Sequence, residues 1–114
     1  AHVEQRWPGE VTLLRCPGVL VGEVRNVGAR ATRGELLSFV DADCVLDEDY
    51  FERAREVLTD PEVAATGAPY ALPDDALWIE RTWQLLHETK HPDGPVLYLN
   101  AGNFVVRRSV FESV

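Results

Sequence analysis

Basic charge is scarce in this chain of 114 residues: 11 Lys and Arg stand against 19 Asp and Glu, and Lys90 is the single lysine. The net charge of −8 argues against nucleic acid or an anionic membrane as the main partner, because both select basic surfaces. Cysteine is as sparse. Cys16 and Cys44 stand far apart, in no metal-binding or redox spacing, and read as reduced thiols of a cytoplasmic protein. No apolar run approaches the roughly 20 residues that cross a bilayer, and no secretory leader is visible. Internal repeats and biased tracts are missing too. What is present is one domain's worth of chain with 46% hydrophobic residues, enough for a core.

The most informative stretch is Leu36-Leu37-Ser38-Phe39-Val40, followed at once by Asp41-Ala42-Asp43. A short apolar run with Gly34 before it and acids after it reads as a buried strand. In open parallel sheets, ligands gather outside the carboxyl ends of strands. Asp41 and Asp43, one residue apart, would share a face of an ideal strand and converge on one cation if the chain turns there. Two hard oxygen donors suit Mg²⁺ or Mn²⁺, with substrate phosphates and water completing the shell.

Around this strand the order of elements is as follows. Ala1 to Arg6 reads as a helix tail stopped at Pro8-Gly9, Val11 to Leu14 as a short strand, and Val19 to Val24 as a loop. Asn26 is placed to cap a helix running to Arg33. Its free amides could face an anion, with Arg25 adding a forked donor; spacing alone favours an ordinary packed helix with solvated arginines. Asp47 is expected to cap a helix from Glu48 to Leu58 with Phe51, Ala54, Val57 and Leu58 as its apolar stripe. A strand over Val63 to Thr66 and a loop over Gly67 to Pro73 follow. A helix from Asp74 to about Glu88 carries Trp78 and Trp83, read as core rather than as a sugar-stacking surface. His87 and His91 are four apart, but Pro92 and the lack of a supporting acid argue against a metal pair. Val96 to Leu99 and Phe104 to Arg107 read as strands flanking Asn100-Ala101-Gly102-Asn103. Ser109 and Glu112 form a capping-box pattern for a last helix. The alternation predicts an α/β domain with a mainly parallel sheet.

Three chemistries compete for the aspartates. One is a metal site for a nucleotide diphosphate. Another is a phosphohydrolase: Asp41-Ala42-Asp43-Cys44-Val45 resembles the haloacid-dehalogenase signature, with Asp41 as nucleophile and Asp43 as general acid. That family needs a lysine and then an acidic pair downstream, and here Asp74-Asp75 precede Lys90. A calcium loop beginning at Asp41 is excluded, since Leu46 stands where the sharp turn needs Gly and Val45 offers no side-chain oxygen.

The blocks Arg25-Asn26-Val27-Gly28-Ala29-Arg30-Ala31, Phe39-Val40-Asp41-Ala42-Asp43 and Asn100-Ala101-Gly102-Asn103-Phe104-Val105-Val106-Arg107-Arg108, in this order, resemble a family 2 glycosyltransferase. The resemblance implies the GT-A fold, a Rossmann-like α/β sandwich with a mainly parallel sheet. It implies inverting transfer of a sugar from a nucleotide-diphosphate sugar donor to a saccharide, lipid or other hydroxyl acceptor, aided by Mn²⁺ or Mg²⁺. By position, Asp43 would be the more direct metal ligand and Asp41 would lie nearer the ribose. Arg25 and Asn26 would line the nucleotide pocket, while Ala101, Gly102 and Asn103 would floor the acceptor site. The family's opening strand with Asp-Asp-x-Ser and its Glu-Asp pair bearing the general base have no counterpart here. Residues 1–114 are therefore expected to be the middle of a catalytic domain, truncated at both ends and inactive alone, the catalytic base lying beyond Val114. A catalytically silent nucleotide-binding module is the non-enzyme alternative. The setting implied is cytoplasmic, with membrane association at the inner face through regions outside this chain.

Overall fold

The structure, a computed structural model, describes residues 5–87 and 94–114. Expectations resting on Ala1 to Glu4, Glu88 and His91 lie outside the described residues. The chain divides into two compact units, Ala1–Glu35 and Leu36–Val114.

In the first unit, Val11 to Leu14 is not a strand and is exposed. β-prone residues supply side chains suited to a sheet, but without a neighbouring strand the run has no ladder to join. Helix α1 spans Val21–Arg30 and starts at Leu20, so the expected loop over Val19 to Val24 is largely helical and Asn26 is not its cap. The extra turn is tied by Glu23, whose carboxylate accepts from Asn26 Nδ2 at 3.1 Å and Arg30 Nη2 at 2.5 Å. Those bonds, Arg30 first, hold the Glu23 pKa below its usual value. The helix ends before Arg33, where Ala31 N–H bonds Val27 O and Thr32 Oγ1 donates to Ala29 O at 3.0 Å.

The second unit is built on a three-stranded sheet: β1 Leu36–Val40, β2 Ala65–Gly67 and β3 Asn103–Arg107, in the order β1-β3-β2. β3 is antiparallel to both neighbours, with Leu37 opposite Val106 and Ala65 also opposite Val106. The mainly parallel sheet is thus not observed among the described residues. The expectation rested on the alternation of helices and strands, which does not say which strand lies between which; here the late strand β3 runs between β1 and β2 and opposite to both. One face presents Leu36 and Val105 to helix α2, Tyr50–Val57, whose Tyr50 and Ala54 form the core with Leu58 just beyond its end. The other carries Phe39 stacked on Phe104, with centroids 4.9 Å apart, and Phe111 at 5.5 Å from Phe39.

The stripe of α2 is Tyr50, Ala54 and Leu58, four apart; Phe51 and Val57 are exposed. Its start is set by the Asp47 backbone carbonyl, which accepts from Tyr50 N–H at 3.1 Å, and not by a side-chain cap. Helix α3 is Trp78–His87. The preceding turn is closed instead by Glu80 Oε2, which accepts from Leu77 N–H at 2.6 Å, and by Arg81, which donates to Asp74 O and Ala76 O. Trp78 and Trp83 are 75% and 66% exposed, not core. Val96 to Leu99 forms no strand. The last helix, α4 Arg108–Phe111, begins directly after β3 without the Ser109 cap.

Candidate active site

β1 stops where its hydrophobic residues do. Asp41 N–H still donates to Gly102 O at 2.8 Å, extending the ladder by one residue, and Cys44 N–H then donates to Asp41 O at 3.0 Å. This closes a turn over Asp41 to Cys44, the geometry that an Asp-rich tetrapeptide favours. The chain therefore turns at the aspartates as their convergence requires, and both are exposed. A second turn faces it: Asn103 N–H donates to Asn100 O at 3.3 Å, and Ala101-Gly102 lie between.

Because β1 and β2 both run opposite to β3, their carboxyl ends and the amino end of β3 meet at one edge. There Asn103, 6% exposed, fastens the third segment. Its Nδ2 donates to Ala68 O at 3.0 Å, its Oδ1 accepts Ala68 N–H at 3.1 Å, and the Tyr50 hydroxyl donates to the same oxygen at 3.3 Å. The amide imitates a strand's backbone and satisfies the residue just after β2. Two residues on stands Tyr70. A Cβ added to Gly102 would lie 2.5 Å from both Asp41 Oδ2 and the Tyr70 hydroxyl oxygen, so the two oxygens converge over this glycine. Burial, then the neighbouring Cys44 thiol and its hydrogen bond, then the charges of Asp41 and Asp43 push the Tyr70 phenol up from its usual pKa. Tyr50 is raised too, mainly by burial.

The structure thus gathers Asp41, Asp43, Ala101, Gly102 and Asn103 at one edge. Within it Ala101 is exposed, whereas Gly102 and Asn103 are buried. Arg25 and Asn26 lie in the interior of α1 in the first unit, so no free helix-start amides accompany them. Tyr70 was not foreseen: its only local signal is an aromatic in a proline-flanked loop after a strand.

The donor set suits a hard cation that draws its other ligands from elsewhere. Asp41 and Asp43 supply carboxylate oxygens, while no group of three or more His, Cys, Asp and Glu suited to a metal gathers among the described residues. Two carboxylates with the remaining positions left to diphosphate and water fit Mg²⁺ or Mn²⁺.

No curated protein and no solved structure matches the chain. The description of glycosyl transferase family 2 matches residues 2–114. With that match spanning nearly its whole length, the chain belongs to glycosyl transferase family 2 and is a glycosyltransferase.

Proposed function

We propose that this domain transfers a sugar, with inversion, from a nucleotide-diphosphate sugar to an acceptor hydroxyl, and that the diphosphate sits at the turn of Asp41 and Asp43. The observation that supports this reading is the meeting of that turn with the Asn100 to Asn103 turn through the Asp41 N–H to Gly102 O bond. Donor-side and acceptor-side blocks, 59 residues apart from Asp43 to Gly102 by numbering, thereby share one edge of the sheet.

In this reading Asp43 and Asp41 hold a divalent cation, which when bound offsets diphosphate charge as the sugar leaves. Asp43 stands on the exposed turn; Asp41, whose carboxylate is turned toward Gly102 and Tyr70, is the carboxylate assigned nearer the ribose. Ala101, the exposed member of the second turn, meets the acceptor, and Asn103 shapes that floor by clamping Ala68. A cytoplasmic setting suits the two free cysteines.

Calorimetric titration of UDP, GDP and dTDP, with and without Mn²⁺, tests the reading. Binding of one nucleotide that strengthens with Mn²⁺, and loses that gain in Asp43→Ala, is the expected result. Affinity for none of them, or a gain that survives Asp43→Ala, would overturn it.

A further inference from the structure

We infer that Gly102 and Tyr70 together are positioning residues for the Asp41 carboxylate, so that the turn assigned to the acceptor also sets the donor side. This rests on the donor-site reading above and adds to it a residue, Tyr70, and a new role for Gly102. The argument is steric first. Gly102 has an ordinary negative φ, as the positive-φ glycines are Gly9, Gly18 and Gly94. Backbone conformation therefore does not demand glycine here. What demands it is space: a Cβ would stand 2.5 Å from Asp41 Oδ2, 3.0 Å from Asp41 Cγ and 2.5 Å from the Tyr70 hydroxyl. Contacts that short are not tolerated, so a side chain at 102 displaces the carboxylate, the phenol or both.

The second part is polar. Tyr70 is 48% exposed, yet its hydroxyl is directed inward over Gly102, to the place where the Asp41 carboxylate also points. Tyr70 is held there from the other side: Asn103 pins Ala68, two residues before it. The phenol bridges the end of β2 to the aspartate turn at the end of β1. A hydroxyl and a backbone turn on either side of a carboxylate limit the rotamers it can take.

Nucleotide-diphosphate calorimetry with and without Mn²⁺, on the unaltered chain, Gly102→Ala, Tyr70→Phe and the double variant, tests the inference. Far-UV circular dichroism confirms that each is folded. Gly102→Ala should lose about tenfold or more of the Mn²⁺-dependent gain in affinity, the scale of one charge-assisted hydrogen bond, and a smaller part of metal-free nucleotide binding, since Asp41 is also the carboxylate assigned nearer the ribose. Tyr70→Phe alone should lose a few-fold. In the double variant, removal of the hydroxyl makes room for the new methyl group, so part of the loss should be recovered. A merely structural role would weaken binding equally with and without metal and show no recovery. Equal weakening, strictly additive losses or no effect would each overturn the inference while leaving the donor site standing. Failure of the unaltered chain to bind any nucleotide would overturn both.

Discussion

The two ends of β3 do opposite jobs with the same device. At its start, Asn103 is buried and its amide has three hydrogen bonds, to Ala68 twice and to Tyr50. At its finish, Arg107 turns the other way and donates through Nη2 to Leu58 O and Asp60 O, each at 2.5 Å. There it satisfies carbonyls left over where α2 ends. Both residues use a side chain to complete backbone that no strand or helix reaches. The difference is what lies beside them. Next to Asn103 is Gly102, a buried residue without a side chain, and the edge opens onto two carboxylates. Next to Arg107 the chain passes straight into α4, and its Nε is buried without a hydrogen-bond partner among the described residues. One end holds the segment after β2 beside the aspartate turn; the other closes the core under α2.

This contrast can be broken from either side. The largest effect is expected from Asn103→Ala, which strands both backbone groups of Ala68 and the Tyr50 hydroxyl: about 3 kcal/mol of stability by urea unfolding. Nucleotide affinity should fall with it, because Tyr70 loses its anchor. Arg107→Met keeps much of the packed stem but strands the Leu58 and Asp60 carbonyls. It should cost about 1–2 kcal/mol, offset in part by removal of the unpartnered Nε, and leave nucleotide affinity unchanged. Equal effects of the two on affinity would erase the distinction between the ends.

The smallest effect concerns pH. Burial raises Tyr50 above its usual 10.0, so its phenol ionises more readily in the unfolded chain than in the folded one. Its contribution is fully present below about pH 10 and is lost as pH rises from there through the higher folded value. Tyr50→Phe should flatten that alkaline decline of thermal stability at a cost of about 1 kcal/mol at neutral pH. The Arg107 end has no such tyrosine, and Arg107→Met should leave the decline in place.

The strand and turn that carry Asp41 and Asp43 were legible in the sequence because their signals are local. Leu36 to Val40 is a strand with the expected bounds, since a five-residue apolar run between Gly34 and an acidic turn has few other solutions. The rule placing ligands at the carboxyl ends of parallel strands singled out the edge where the Asp41–Asp43 and Asn100–Asn103 turns meet, although the sheet is antiparallel at every hydrogen-bonded pair. β1 and β2 do run parallel to each other; β3 lies between them. By contrast, Val11 to Leu14 and Val96 to Leu99 have strand-like composition and no strand. Trp78 and Trp83 looked like core and are exposed. Burial belongs to neighbours, not to residue type.

What the amino-acid order determined by itself is the family, carried by the match over residues 2–114, the β1 strand and the turn of two aspartates after it. The strand and the turn are written in residues close together, where apolar periodicity and turn chemistry act directly; the family is written in the order of blocks along the whole chain. Only the tertiary structure decided strand direction, the helical start of α1 at Leu20, and the convergence of Asp41 with Gly102 and Tyr70. Those depend on which distant backbone groups find each other, as Asn103 finds Ala68, and a buried polar group must be satisfied wherever the fold leaves it.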